Sequence, residues 1–295
     1  MRKSMAPALT PGSLLAPGYE VVRLFDRGSR HEVYDVWSLQ RRCRCMAKAM
    51  RGDPPYDRPS VRSLLQEGQL LGEFTHPHIV RAYESIRDPR PTVILETLSG
   101  ETLAHAMDRL DRLTFADVVL LGQQLCSAIA YIHEHGWLHL DLKPSNLVCE
   151  GGRVRVLDLS VALRPGSSRV GVGTTGYMSP EQIEGDRLST ATDVWGIGMV
   201  LYEASTGSLP YDDPDDDPEA PGGARGSDSY ADEPEPIEGP APSLGTRRPA
   251  PQALIEVVDR CLSLNPEERP TVEDLSTALG GVSGVDPKTE GALSL

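Results

Sequence analysis

The sequence predicts an α+β protein with two lobes, a small antiparallel sheet with one helix followed by a larger, mainly helical part. Three observations support this class. Strand-like runs dominate residues 19–98, helical patterns dominate residues 100–280, and a chain of 295 residues is long enough to bury a sizeable core. Because the strands come first and the helices follow, we expect two lobes rather than one alternating α/β sheet.

The first lobe is expected to span residues 18–97, after a flexible segment at residues 1–17 that is rich in Pro, Ala and Gly. Five short runs there have the composition and alternation of strands: YEVVRLF, HEVYDVWSL, CRCMAKAMR, HIVRAYES and TVILETL. Between the third and fourth runs, residues 59–74 carry apolar side chains at helical spacing. The pattern therefore predicts a small antiparallel sheet with one helix.

The second lobe is expected to span residues 98–280 and to be mainly helical. A long apolar helix covers Phe115 to Ile132, and STATDVWGIGMVLYEAS and QALIEVVDRCLSL predict two more. Residues 212–250 interrupt this pattern with an insertion rich in Pro, Gly and acidic residues. Its few apolar side chains cannot offset the entropy of ordering, so we expect a disordered insertion. The tail at residues 281–295 is likewise expected to be flexible.

Charge and composition exclude several classes of function. The net charge is −14, and residues 212–240 hold 11 acidic residues against one Arg. Because phosphate backbones attract stripes of Lys and Arg, we expect no nucleic-acid binding. The most apolar window, Val118 to Ile132, has 15 residues with two Gln, so no membrane span is predicted. Five Cys without a C-x-x-C pair indicate reduced thiols in a cytoplasmic protein.

Two charged residues occupy positions that the patterns place on apolar faces. Lys48 shares a strand face with Met46, and Glu67 lies three residues after Leu64 within the apolar stripe of the next helix. Either residue alone is explained by a side chain whose charged end reaches solvent. Two opposite charges on adjacent elements instead indicate an ion pair, which can present the Lys48 ammonium to a phosphate.

A predicted hairpin brings together residues that can bind a cation. Two apolar runs flank Gly151-Gly152, so Asn146 at the start of the first run is expected beside Asp158 at the end of the second. An amide oxygen and a carboxylate suit Mg²⁺ that also binds phosphate oxygens and water. The alternative is that both residues merely cap turns. Asp141, on the loop before Asn146, favours the metal site because it could accept a hydroxyl proton there.

The order of these residues resembles the catalytic domain of protein kinases, of the bacterial Ser/Thr type, from about residue 18 to residue 281. HLDLKPSN is similar to the catalytic loop of that family, DLS at Asp158 takes the place of D-F-G, and GTTGYMSPEQ is similar to the end of the activation segment. The resemblance implies the bilobal protein-kinase fold. It also implies transfer of the γ-phosphate of ATP, with Mg²⁺ as cofactor, to Ser or Thr hydroxyls of protein substrates.

The resemblance implies a role for each residue that matches a motif. Asp141 would be the catalytic base, and Lys143 would lie near the γ-phosphate. Lys48 would hold the α- and β-phosphates with Glu67 as its partner. The metal ligands would be Asn146 and Asp158. The other implied ATP-binding residues are Phe25, Gly28, Val33, Glu96 and Leu98. The remaining matches are Thr174, Thr175 and Glu181 in the activation segment, Asp193 bracing the catalytic loop, and Arg269 pairing with Glu181.

Three departures from the family pattern leave an alternative open. The phosphate loop keeps only Gly28 of the three glycines in G-x-G-x-x-G, and Met46 stands where the family usually has Ala. Leu140 replaces the Arg that in many kinases binds a phosphorylated activation segment. The alternative is a pseudokinase or scaffold that binds nucleotide or partners with little catalysis. The acidic insertion would suit a basic partner, or it is a solvated linker.

Overall fold

A computed structural model of the chain describes residues 7–52, 54–212 and 236–282. By its internal contacts the chain divides into two compact units after Ser99. The lobe boundary expected between residues 97 and 98 lies two residues before this division. Each unit is built around its own set of buried apolar side chains, as the change from strand-like to helical text along the sequence leads one to expect.

The first unit is a six-stranded antiparallel sheet with one helix. Its elements are β1 (Leu14–Ala16), β2 (Tyr19–Arg27), β3 (His31–Ser38), β4 (Cys43–Met50), α1 (Arg58–Glu73), β5 (Ala82–Ile86) and β6 (Thr92–Leu95). The strand order is β1-β2-β3-β4-β6-β5. Alternate residues of β3 and β4, including Tyr34, Val36 and Ala47, are fully buried. Helix α1 begins at the N-cap Asp57, whose carboxylate accepts a hydrogen bond from the Ser60 N–H, and it packs against β5.

The start of the first unit differs from the flexible segment expected at residues 1–17. β1 pairs with β2, with Leu14 opposite Glu20, and Leu15 and Ala16 are buried in the sheet core. A three-residue strand beside Pro17 and Gly18 is too short to show alternation, so the turn residues dominated the pattern. Burial of Leu15 orders this segment, although its composition predicted flexibility, because removing apolar surface from water offsets the loss of backbone entropy.

The second unit is mainly helical and contains one small antiparallel sheet. Its elements are β7 (Glu101–Thr102), α2 (Leu103–Leu110), α3 (Phe115–Glu134), β8 (Leu147–Glu150), β9 (Arg153–Val156), α4 (Pro180–Glu184), α5 (Thr190–Thr206), α6 (Leu244–Arg247), α7 (Gln252–Cys261) and α8 (Val272–Gly280). The sheet order is β7-β8-β9. Helix α5 lies at the centre of the unit, since nearly all its side chains are buried, and it contacts both α3 and α7.

Helix α3 is long and apolar enough to cross a membrane by length and composition alone. It is five residues longer than the 15-residue window on which the expectation of no membrane span rests. In the structure, Leu121, Leu125 and Ile129 are fully buried, and the helix packs against α5 and α8. Gln124 of this helix bonds to the β8–β9 hairpin, donating to the Gly152 carbonyl (3.0 Å) and accepting from the Val154 N–H (2.7 Å). The hydropathy of α3 thus has a structural cause in the core.

The second unit also differs from the disorder expected at residues 212–250. Residues 236–250 are described and include α6, where Leu244 is fully buried and the Arg248 guanidinium lies 3.9 Å from the centre of the Phe115 ring. The polar average composition of residues 212–250 gave no indication that Leu244 is buried. Residues 213–235, which hold most of the acidic side chains, lie outside the described residues. So do residues 1–6 and 283–295 at the ends expected to be flexible.

Candidate active site

In the first unit, Lys48 and Glu67 form an ion pair. The Lys48 Nζ lies 3.0 and 2.9 Å from the two carboxylate oxygens of Glu67, and the Glu67 side chain is only 2% exposed. Lys48 stands on β4 opposite Val33 on one neighbouring strand and Val93 on the other. Glu67 lies on the buried face of α1. Each charge is tolerated inside the unit because the other compensates it.

The other predicted ATP-binding residues lie in β2, in the β2–β3 connection, in β3 and in the segment after β6. Phe25 is 58% exposed, with the Arg23 guanidinium 5.3 Å from its ring centre. Gly28 lies in the β2–β3 connection, where its carbonyl accepts a hydrogen bond from Arg51 (2.6 Å). Val33, Glu96 and Leu98 are half-buried. Of the five, Val33 is the one that the strand register places directly opposite Lys48.

In the second unit, both carboxylate oxygens of Asp141 are held in place. Oδ1 accepts a hydrogen bond from the Thr174 hydroxyl (2.6 Å), and Oδ2 accepts one from Asn146 Nδ2 (3.1 Å). Asn146 Nδ2 also donates to the backbone carbonyl of Asp141 (2.8 Å). Asp141 is 3% exposed, and Lys143, two residues later, is buried and lines a small cavity with Tyr177. The fold thus gathers residues from two separate motifs around one carboxylate.

The β8–β9 hairpin places Asn146 and Asp158 at its open end. Leu147 is paired with Val156, and the Leu157 N–H donates to the Asn146 carbonyl (2.8 Å). Asp158 follows with a left-handed backbone (φ 56°), and its Oδ1 accepts the Ser160 N–H (2.9 Å). The two glycines of the turn, at φ 55° and 81°, let the hairpin reverse in two residues.

The donor atoms at this hairpin end fit Mg²⁺. The Nδ2 of Asn146 donates its hydrogen bonds to Asp141, so the Oδ1 of Asn146 is the amide atom that could bind a cation. Asp158 adds a half-buried carboxylate. Among the described residues there is no group of three or more His, Cys, Asp or Glu that could hold a metal ion. A cation held by Asn146 and Asp158 would therefore complete its shell with phosphate oxygens or water, as Mg²⁺ commonly does.

Asp193, on α5, holds the backbone of His139 and Leu140, just before Asp141. Its Oδ2 accepts from the His139 N–H (2.9 Å) and contacts His133 Nε2 (2.7 Å), while its Oδ1 accepts from the Leu140 N–H (2.8 Å). Burial would raise the pKa of Asp193, but the hydrogen bond and charge of His133 and the Leu140 N–H hold this pKa below its ordinary value. An ionised carboxylate thus orients the two residues before Asp141.

Glu181 and Arg269 form a bidentate ion pair inside the second unit. The two guanidinium nitrogens Nη1 and Nη2 lie 2.7 and 3.0 Å from the carboxylate oxygens, and the Arg269 side chain is fully buried. Burial would raise the pKa of Glu181, but the hydrogen bonds and charge of Arg269 hold it below its ordinary value. Thr175 is exposed, unlike the neighbouring Thr174. The pair ties α4 to the segment before α8. Helix α4 lies at the end of residues 158–181, which we call the activation-type segment.

Sequence reasoning missed Gln182, which follows Glu181 in α4. Its amide bonds to the backbone of Leu140 (2.9 Å) and of Val172 (2.6 Å), and the side chain is buried. No local pattern marks such a residue, because a Gln in the first turn of a helix is commonly solvated. A weak signal exists in Ser179 followed three residues later by Gln, which is the spacing of a capping box.

Comparisons with known proteins identify the family and the fold. The family model for the protein kinase domain matches residues 19–278. The chain is 30% identical over 244 residues to the serine/threonine-protein kinase PkaA of Streptomyces coelicolor, covering 79% of this chain and 42% of that protein. It is 29% identical over 216 residues to the serine/threonine-protein kinase PknB of Mycobacterium tuberculosis, covering 69% of this chain and 34% of that protein.

Myosin light chain kinase 2 of Bos taurus is 31% identical over 195 residues, covering 63% of this chain and 31% of that protein. The chain therefore spans between about a third and two fifths of the length of these relatives. Among solved structures, the kinase domain of Mycobacterium tuberculosis PknI matches with a TM-score of 0.71 and 22% identity, over 94% of this chain and all of that one, which shows a shared fold. By the extent of the family match, the chain belongs to the protein kinase domain family.

Proposed function

We propose that the chain is a Mg²⁺- and ATP-dependent Ser/Thr protein kinase, which transfers the γ-phosphate of ATP to hydroxyl groups of protein substrates. The observation that carries this proposal is the fixed carboxylate of Asp141, held by Thr174 and Asn146 beside the hairpin end that carries Asp158. Phosphoryl transfer depends mainly on positioning and electrostatic stabilisation, and the side chains for both are present. The names of PkaA and PknB support the same activity.

Each residue predicted to bind ATP or metal, or to act in catalysis, has a part in the proposed reaction. Lys48, positioned by Glu67, would bind phosphates of ATP, and Asn146 with Asp158 would hold Mg²⁺, which neutralises developing charge on the phosphate oxygens. Asp141 would orient the acceptor hydroxyl and accept its proton, and Lys143 would stabilise the transferring phosphoryl group. The half-buried Val33 and the backbone of Glu96 and Leu98 would contact adenine, while Phe25 and Gly28 would lie over the phosphates.

The proposal extends to location and partners. All five Cys are free thiols, four of them buried, as expected for a cytoplasmic protein.

A basic partner for the acidic insertion is the other element of the proposal. Pull-downs with a Lys/Arg-rich substrate protein would compare the chain with a variant that lacks residues 213–235. Equal capture by both at physiological salt would remove this partner from the proposal.

The substitution Asp141→Asn tests the function. Because the amide cannot accept a proton, we expect the variant to transfer no label from γ-labelled ATP to a mixed protein substrate in the presence of Mg²⁺. Its melting temperature should stay close to that of the unsubstituted chain, since Asn has the same size. Asp274→Asn, in the exposed part of α8, is the matched control and should transfer normally.

Two outcomes would contradict the proposal. Full transfer by Asp141→Asn would overturn the role of this carboxylate. If the unsubstituted chain bound MgATP, seen as an increase in melting temperature, and yet transferred no phosphate to any protein, a nucleotide-binding scaffold would be the better description.

A further inference from the structure

Leu140, directly before Asp141, has an unusual backbone conformation. Its φ of 68° lies in the left-handed region, which residues with a side chain rarely adopt. Such a conformation persists where the surrounding structure over-determines it. Two contacts constrain Leu140. Asp193 accepts a hydrogen bond from the Leu140 N–H (2.8 Å), and the Leu140 side chain packs in an apolar cluster with Leu138, Val172 and Leu188. The remaining backbone group, the Leu140 carbonyl, needs a donor.

Gln182 supplies that donor. Its Oε1 accepts the Ser179 N–H (2.9 Å), which orients the amide and directs Nε2 towards two carbonyl oxygens. Nε2 then donates one hydrogen to Leu140 (2.9 Å) and the other to Val172 (2.6 Å). The side chain is 3% exposed, and its amide makes three hydrogen bonds. A carboxylate in this position could make only one of the three, because it has no hydrogen to donate.

The chain approaches closely at this point, and Gly173 permits it. Gly173 has a φ of 126°, and a Cβ there would lie 2.8 Å from the Leu140 carbonyl oxygen and 3.0 Å from Gln182 Nε2. Thr174 follows and donates to Asp141 (2.6 Å). The Gln182 amide and the Thr174 hydroxyl therefore join the same two segments, residues 140–141 and 172–174, by adjacent links.

We propose that Gln182 is a positioning residue for phosphoryl transfer, which holds the left-handed Leu140 peptide and thereby the carboxylate of Asp141 without any phosphate on the activation-type segment. The inference rests on the proposed function. At Leu140 an apolar cluster and one neutral amide link the two segments, and neither carries a charge that a phosphate would satisfy. Gln182 does not itself touch the reacting groups.

The first test compares Gln182→Met with Gln124→Met. Both substitutions keep the side-chain volume and remove a buried amide that bonds to backbone, but Gln124 serves the β8–β9 hairpin and not Leu140. We expect kcat of Gln182→Met to fall about ten-fold, with KM for ATP changed less than about two-fold, because ATP-binding residues are untouched. Gln124→Met should lower the melting temperature by a similar amount and keep kcat within about two-fold of the unsubstituted chain.

A second test uses Gln182→Glu and pH. At neutral pH the carboxylate would face two carbonyl oxygens, so we expect a lower kcat than in Gln182→Met. As the pH falls towards 6, the buried carboxyl becomes protonated and can donate to one carbonyl, so kcat relative to the unsubstituted chain should rise at least three-fold. A purely structural role would not give this pH profile. Equal pH profiles for Gln182→Glu and the unsubstituted chain would overturn the inference, as would a normal kcat for Gln182→Met.

Two further measurements separate this inference from the proposed function. Amide hydrogen exchange over residues 138–142 and 171–178 should be faster in Gln182→Met than in Gln124→Met, and this holds even if the unsubstituted chain transfers no phosphate. Exchange that is equal in the two variants would contradict the inference. Phosphatase treatment, checked by mass spectrometry, should leave the activity of the unsubstituted chain within about two-fold, and a loss of activity would contradict independence from phosphate.

Discussion

Glu181 and Arg269 illustrate how burial sets the strength of an ion pair. Their closest nitrogen–oxygen distance is 2.7 Å, and Arg269 also lies 5.0 Å from the centre of the Trp195 ring. Glu101 and Arg109 approach to 2.6 Å, but their side chains are 36% and 54% exposed. Breaking a buried pair leaves a charge without compensation, whereas water replaces the partner of an exposed one. Distance alone therefore does not rank the two pairs.

The matched substitutions Glu181→Ala and Glu101→Ala test this contrast. Glu181→Ala should lower the free energy of unfolding by about 3 kcal/mol or more, because Arg269 remains buried without its carboxylate. Glu101→Ala should change the free energy by about 0.5 kcal/mol or less. Urea denaturation followed by circular dichroism measures both. Similar losses for the two variants would show that Arg269 finds another partner or that water reaches it.

Helix α1 was predicted over residues 59–74 and is observed over Arg58–Glu73, so each end lies within one residue of the prediction. The helical periodicity also placed Leu64, Glu67 and Leu71 on the buried face, where they lie. Periodicity does not show how closely the helix approaches the sheet. A Cβ on Gly68 would lie 2.6 Å from Val93 and would also overlap the Ser85 hydroxyl. The absence of a side chain at Gly68 thus sets the distance between α1 and strands β5 and β6.

Gly68→Ala and Gly72→Ala form a matched pair in this helix. Gly68→Ala should destabilise the protein by about 1–3 kcal/mol, because the methyl group overpacks the helix against the sheet. At Gly72 a Cβ would lie 3.8 Å from the Ala82 carbonyl, an ordinary contact. Gly72→Ala should therefore stabilise by about 0.5–1 kcal/mol through helix propensity. Thermal unfolding of both variants measures the difference, and the opposite order would contradict the close approach at Gly68.

Over the whole molecule, buried carboxylates with lowered pKa values occur in both units. Asp193 and Glu181 lie in the second unit. In the first unit, burial would raise the pKa of Glu32, but hydrogen bonds from Tyr34 and Arg90 hold it below its ordinary value. In each case the unfolded chain binds the proton at a higher pH than the folded protein does. Stability from these groups is therefore fully present above the ordinary carboxyl pKa and is lost as the pH falls towards the folded value.

Acid should consequently destabilise the protein below the ordinary Glu and Asp values of 4.5 and 3.8. We expect the free energy of unfolding, measured by urea titration at several pH values between 7 and 3, to fall steadily below about pH 4.5. Glu181→Gln removes one of the three groups and should make the decline shallower while lowering stability at pH 7. An unchanged slope in this variant would show that other groups govern acid unfolding.

The sequence by itself determined the fold class and the kinase family, and it singled out the charged residues of the proposed site. Lys48 and Glu67 stand out because charges on apolar faces violate the local pattern, and Asn146 and Asp158 because a Gly-Gly turn fixes their register. Both patterns can be recognised within a few neighbouring residues or within one hairpin. The resemblance added Thr174, Glu181, Asp193 and Arg269, whose partners lie from 33 to 88 residues away in the chain.

The tertiary structure alone decided how the backbone before Asp141 is held. The left-handed Leu140, the bonds of the Gln182 amide and the close approach at Gly173 depend on distances between segments separated by ten to forty-two residues. β1 and α6 belong to the same class, since Leu15 and Leu244 gain their order from burial in a core formed by other elements. Local sequence cannot predict such distances, because side-chain burial and the two carbonyl partners of the Gln182 amide arise only when the chain folds.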